Sequence, residues 1–484
     1  MSWSRRVGGG AALQVLARLF TATVSLVVTA ILLARLLDKD EYGRFSFYLN
    51  AFLLVLVLVD FGINRAAIRR IADGSWRESD AIGAAVRLKT RFGIAAFLAL
   101  AVLIGAGERD PTTIAILLVA AAHTLTHGLS AGSVGFEAAV EFRPNATSAF
   151  VGYGVFLALS LAFAACGMRQ AAPYLLAFGA GLAAQNVFLH AWARRRFPVP
   201  TAPTPSLVRE LLREALPLGF SAVSVAIYYY TDSLLLRPLA GDAAVATYTV
   251  AYRLMTFGLM APVLFSQVLF PVFTRCHVAG PRVLTIAVAR ATLVLALLAA
   301  CGATMIATRA EDWLALVFGE SYRDAGPALR VLCVAMAVVF LTYPHTTALI
   351  AAGRAATFTR ITIVAAVLNV ALNLVVLPRY GPVGAATTTL ITEGFVLIAG
   401  CASAWRLLRV SGWSKSLWAP AVLAGALAIV LTHWPQLPLV WVAIVSLAST
   451  LVIARISGAL PFDLGVDAAL ERGDDDRVEE PRSA

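Results

Sequence analysis

The sequence predicts an all-α polytopic membrane protein of about 14 transmembrane helices. They are arranged as two six-helix lobes related as parallel repeats, followed by two C-terminal helices. Three observations lead there. Hydrophobic residues make up 60% of the 484-residue chain and charged residues 14%, and mean hydropathy is +0.80. A soluble chain sits nearer half apolar and a quarter charged. Apolar runs recur along the chain, most of them near the roughly 20 residues that span a bilayer core of about 30 Å. The net charge of +11 lies in short loops between those runs. That is the pattern of membrane topology, not of a basic nucleic-acid face on a soluble domain.

The predicted spans fall near residues 11–34, 45–64, 92–107, 112–136, 145–166, 171–193, 214–236, 246–273, 284–308, 326–351, 357–377, 383–405, 416–433 and 438–457. The first is too long for a signal peptide, and no small-residue cleavage site follows it. The third is short and begins within the basic stretch before it. Arg5 and Arg6 place the N-terminus in the cytoplasm. Arg65, Arg69, Arg70, Arg77, Arg87, Lys89 and Arg91 then fall inside, as do Arg194, Arg195, Arg196, Arg209 and Arg213. The tally is roughly 27 basic residues inside against 10 outside, which puts both termini in the cytoplasm.

Domain boundaries follow from composition. Residues 1–197 form an N-lobe of helices 1–6, and 198–212 a Pro- and Arg-rich linker. Residues 213–410 form a C-lobe of helices 7–12, 411–458 two further helices, and 459–484 a disordered tail of mixed charge. A weak internal repeat supports the lobes. LLDKDEYGRFSFYLNAF (36–52) resembles LAGDAAVATYTVAYRLMTF (239–257), aligning Gly43 with Ala246 and Phe45 with Tyr248. The five cysteines, Cys166, Cys276, Cys301, Cys333 and Cys401, form no CxxC pair. They are expected as small buried hydrophobes, with no metal site, disulfide framework or cofactor.

Ionisable groups at bilayer depth cost about 2.5–3.5 kcal/mol or more and so mark partners or wet cavities. Gln14, Arg18, Thr21, Ser25 and Thr29 share one face of span 1. Thr249, Arg253, Thr256 and Gln267 lie close to one face of span 8, and Tyr228 and Asp232 stand on span 7. With Asp60 these predict a polar cavity lining. Arg18–Asp60 and Asp232–Arg253 are matched in depth, so structural salt bridges explain the same charges. His123, His127 and Glu393 lie nearer mid-depth and are candidates for ion coupling or for helix–helix hydrogen bonds. Asn369 and Asn373 are expected to bond to neighbouring helices, just before a break at Pro378, Gly381 and Pro382.

Several motifs in a fixed order carry a family resemblance. LLDKDEYGRFSFY and LVDFGINRAAIRRIA fall within 36–72, and YYYTDSLLLRPLAGDAAVATYTVAYRL spans 228–254. FGESYRDAGPALRVL (318–332), LIAAGR (349–354), and Asn369, Asn373, Pro378, Gly381 with GAAT (384–387) follow. Together they resemble bacterial polysaccharide flippases of the multidrug/oligosaccharidyl-lipid/polysaccharide exporter superfamily. The resemblance implies a V-shaped pair of six-helix lobes in the bacterial inner membrane, working by alternating access. It implies a cargo of undecaprenyl pyrophosphate carrying a short oligosaccharide, moved to the outer leaflet for surface polysaccharide biosynthesis. Membrane lipids and polysaccharide polymerase or glycosyltransferase partners are implied, and no nucleic acid. Arginine forks suit pyrophosphate oxygens; Arg18 and Arg253 are the expected ligands, with Arg35 and Arg237 at the rim. A lipid II flippase and a cation-coupled drug exporter are the alternatives. Short outside loops leave little room for an enzyme's acid and base.

Overall fold

The computed structural model describes residues 3–197 and 205–410, with Ala426, Ile444, Ala448 and Val452 beyond them. Each of the first twelve predicted spans has its helix. The first six are α1 (Leu13–Leu36), α2 (Lys39–Ala72), α3 (Glu78–Gly107), α4 (Pro111–Ala138), α5 (Phe142–Ala165) and α6 (Ala171–Arg196). Next come α7 (Pro205–Ala240), α8 (Asp242–Ala279), α9 (Pro281–Thr308) and α10 (Glu320–Ala351). One long element, Ala355–Leu408, turns a corner at Gly381, and its arms are α11 (355–380) and α12 (382–408). The two expected C-terminal helices and the tail lie outside the described residues, as does linker segment 198–204.

Local chemistry sets the helix ends. Asp38 accepts the Glu41 N–H at 2.8 Å and caps α2, whose first turn carries Asp40 and Glu41. Asp110 does the same for Thr113 at 2.7 Å, with Pro111 at the first position of α4. Three arginines, Arg194 to Arg196, close the last turn of α6, where the helix dipole favours positive charge.

Several expectations are corrected. α3 begins at Glu78, upstream of the basic stretch Arg87–Arg91 in which the third span was expected to start, because its first turns bury Ala81, Ala84, Ala85 and Leu88 on one face. Residues 205–212, expected as linker, are the first turns of α7. The break near residue 380 is at Gly381, with φ 49° and ψ −128°, and Pro378 stays within α11. That backbone conformation is open to glycine and strained for other residues. Beside these corrections, Asn373 donates to Asn369 at 3.0 Å, one turn away on the same helix. Cys166 is exposed, and Cys276, Cys301 and Cys333 are buried.

The chain divides into two compact units, Met1–Ala246 and Thr247–Ala484. In the first, Ile63, Ala66, Ala81, Ala85, Phe136, Leu189 and Leu211 form a core joining α2, α3, α4, α6 and α7. In the second, Leu269, Phe273, Leu284, Val288, Leu349 and Leu408 join α8, α9, α10 and α12. In the first unit α1, α2 and α4 are irregular. α1 widens to a π-helical pitch over Leu26–Leu32. α2 breaks where Phe61 and Gly62 turn left-handed, at φ 39° and 72°. α4 tightens to a 3-10 turn over His127–Gly132. Such departures often mark functional segments.

Candidate functional site

The breaks in α2 and α4 face a cavity of about 860 Å³ within the first unit. Asp60 is the last residue of the first arm of α2, and Asn64 and Arg65 lie in the first turn of its second arm. Lys89 reaches them from α3. Its ammonium donates to Asp60 at 2.8 Å, to the Ser130 hydroxyl at 2.9 Å and to the Asn64 side-chain amide oxygen at 3.0 Å. An ammonium has three donors, and here each has an acceptor. This matters because the Lys89 side chain is 0% exposed, whereas Asp60 is 37% exposed. A buried charge persists only when paired and fully hydrogen-bonded. Ser130 in turn donates to the His127 carbonyl at 2.7 Å, so Lys89 fastens the α2 break to the 3-10 turn of α4.

The rest of the wall mixes neutral polar groups with apolar side chains such as Leu53, Leu56, Val57, Leu182 and Leu218. Five amides line it: Gln14, Asn64, Asn145, Gln185 and Asn186. So do Ser130, Ser133 and Ser148, with Tyr229 and Tyr230 from α7. Asn145 donates to Glu137 at 3.2 Å, and Asn186 to Thr126 at 3.3 Å. The formal charges on the lining are two basic, Arg65 and Lys89, and two acidic, Asp60 and Glu137.

Of the residues predicted from sequence, Gln14, Asp60 and His127 line this cavity; Arg18, Thr21, Ser25, Tyr228 and Asp232 stand outside its described lining. Asp60 pairs with Lys89, so the expected Arg18–Asp60 bridge is replaced; Arg18 is exposed. Thr21 and Thr29 donate back to their own helix, to Arg18 and Ser25 carbonyls. Asp232 is buried, and Tyr228 packs on Tyr229 with centroids 5.6 Å apart. His123 is buried with Nδ1 2.7 Å from the Ala120 carbonyl and its ring between Phe52 and Phe178. That is a packed structural position. Arg253, Thr249, Thr256, Gln267 and Glu393 belong to the second unit. There Thr249 is buried, Thr256 donates to the Arg253 carbonyl, Gln267 is exposed and Glu393 is half-buried.

Sequence comparison now decides the family. A family model described as "Polysaccharide biosynthesis protein" matches residues 7–277, more than half of the chain. The chain belongs to this polysaccharide biosynthesis protein family. A second model, MatE, matches residues 217–375. No curated protein matches the chain. Among solved structures, the lipid II flippase MurJ in an inward closed conformation aligns with TM-score 0.74 at 13% identity, covering 93% of this chain and 98% of that one. An inward-facing multidrug resistance MATE family transporter of the MOP superfamily aligns with TM-score 0.63 at 15% identity, covering 80% and 96%. An outward-facing structure of such a transporter gives 0.53 at 15%, covering 83% and 93%. These likenesses show the fold of MOP-superfamily transporters, and this family member is a multi-pass membrane protein.

At the other end of α2 this polysaccharide biosynthesis family member holds a dense charge cluster. It lies 16 residues from Asp60, roughly 24 Å along a helix. Arg237 binds Glu108 and Asp242 at 2.7 Å each and lies over Phe47 and Tyr48, 4.7 and 5.0 Å from their centroids. Tyr48 donates to Glu108 at 2.9 Å. Arg44 binds Glu41 at 2.7 Å and approaches Glu108 at 3.6 Å. Arg237 was expected at the rim of a pyrophosphate site; its guanidinium is instead held between two carboxylates and two aromatic faces, a structural clasp. Arg35, the other rim candidate, is exposed at the end of α1.

Sequence reading missed Lys89, Asn64 and Arg65 as cavity residues and counted both cations as loop charges. The helical spacing of Ala81, Ala84, Ala85 and Leu88 was the signal that α3 extends back past Lys89.

Proposed function

We propose that this protein is a flippase that moves undecaprenyl-pyrophosphate-linked oligosaccharide from the cytoplasmic to the outer leaflet, for surface polysaccharide biosynthesis. The observation that carries the reading is the set of five amides, three serines and two tyrosines that share the cavity lining with its apolar side chains. Sugar hydroxyls both donate and accept, and amides and hydroxyls answer both roles. A tyrosine adds a flat apolar face with a polar tip. A cavity for lipophilic cations would carry an excess of acidic groups, and this one balances its acids with bases. Family membership supports the same class of cargo. The polyprenyl tail can stay in lipid while the glycan crosses through the cavity. The arginine bias of the loops supports both termini in the cytoplasm, and the family resemblance supports the outward direction and the inner membrane as location.

The test is transport in proteoliposomes containing fluorescent undecaprenyl-pyrophosphate oligosaccharide, with headgroup exposure followed by periodate oxidation. Protein-dependent loss of protected headgroup is the expected outcome. Movement of lipid II without movement of the oligosaccharide lipid would replace this reading by a peptidoglycan-precursor flippase. Export of a cationic dye with neither lipid moving would replace it by a drug exporter.

A further inference from the structure

We infer that Arg65 is the residue that recognises the diphosphate of the cargo, while Lys89 is a neutralised strut. The inference rests on the proposed cargo and deepens it by assigning the charged part of the headgroup to one side chain.

Two cations line the cavity, and the structure gives them different roles. Lys89 has every donor engaged and no exposed surface. Binding a phosphate would require it to release Asp60 and to open the joint between α2 and α4. Arg65 is exposed, lines the same cavity, and has no ion-pair partner among the described residues. Both acids of the lining are engaged elsewhere, Asp60 by Lys89 at 2.8 Å and Glu137 by Asn145 at 3.2 Å.

The arm Ile63–Ala72 carries three arginines, and they also divide. Arg70 is tied to Glu210 at 2.6 Å and to Glu214. Arg69 is exposed and outside the described lining. Arg65 alone of the three lines the cavity. It comes there because the chain turns left-handed at Phe61 and Gly62. Gly62 is also a close approach: a Cβ there would collide with the Leu218 side chain on α7. The turn is therefore fixed by packing as well as by backbone conformation, and it presents Arg65 beside Asn64.

The chemistry fits a diphosphate better than a sugar. A guanidinium offers parallel N–H donors that match two phosphate oxygens and remains charged at any physiological pH. The neighbouring amides are then left to the first sugars. Under the proposed topology Arg65 also lies at the cytoplasmic end of α2, where the headgroup of an inner-leaflet lipid arrives.

The test uses purified full-length protein and native mass spectrometry with three probes: undecaprenyl diphosphate without sugar, undecaprenyl-pyrophosphate oligosaccharide, and uncharged undecaprenol. Arg65→Ala should weaken both diphosphate lipids by about tenfold or more, the effect of losing a charge-assisted contact, and leave undecaprenol unchanged. Arg65→Lys should restore part of the affinity, and Arg69→Ala should bind as wild type does. Equal diphosphate affinity in Arg65→Ala and wild type would overturn the inference, as would an equal loss for undecaprenol, which marks a structural role. Wild-type protein that binds undecaprenyl diphosphate through Arg65 but not the oligosaccharide lipid would leave the inference standing and remove the proposed cargo.

Discussion

Asp60 and Lys89 are unequal partners. Asp60 is 37% exposed and can be hydrated from the cavity when its partner is removed; Lys89 is 0% exposed and cannot. Breaking a buried ion pair from one side leaves an uncompensated charge at a cost of about 3–5 kcal/mol. Asp60→Ala should approach that range. Lys89→Met should cost only about 1–2 kcal/mol, from the acceptors left on Asn64 and Ser130. Thermal unfolding in detergent measures both, and a larger loss for Lys89→Met would contradict the assignment of Lys89 as the buried member. At this scale the sequence was partly legible. Asp60 was recognised as a cavity carboxylate because a lone acid in an apolar helix stands out. Its partner was misassigned, since a lysine at the edge of an apolar run looks like a loop residue until its helix is extended back. Arg237 shows the converse: an arginine at the end of a span suggested a rim contact with the cargo, but Glu108, Asp242 and two aromatic rings hold it.

Helix ends and corners follow local rules and were more legible. The cap at Asp110 gives a pH test. The hydroxyl and backbone N–H of Thr113 hold its carboxyl below the usual carboxylate range. A carboxyl lowered in the folded state stabilises it fully above the unfolded value of about 3.9 and loses that contribution as pH falls through the folded value. Asp110→Ala should therefore melt below wild type at pH 6, and the gap should close as pH falls below about 4. A gap that persists undiminished at the lowest pH at which both proteins fold would show that the carboxylate contributes nothing as an acceptor. The corner between α11 and α12 was anticipated from its prolines and glycines, yet the turn is at Gly381, where φ is positive. A proline within a helix bends or frays it; only the glycine opens the backbone region that the corner uses. The break in α2 went unseen, because Phe61 is an uncommon residue to turn left-handed.

The all-helical, polytopic architecture and its first twelve spans were the most legible property of the whole molecule, since apolar runs of bilayer length leave few alternatives. The cavity was not, because its wall is assembled from helices whose polar residues are far apart in sequence, from Gln14 to Tyr230. Its charges have a consequence for energetics. Arg65 and Lys89 are matched by Asp60 and Glu137, so the empty cavity carries no formal net charge if His127 is neutral. A carrier of this kind returns unloaded with little work against the membrane voltage. Under the proposed function, loading with a diphosphate would make it move negative charge outward, away from a negative interior, and each elementary charge gains about 2.3 kcal/mol per 100 mV. Transport should therefore speed up when a potassium diffusion potential, negative on the cytoplasmic side, is imposed on proteoliposomes. The same rate with and without that potential would mean that a compensating ion crosses with the cargo.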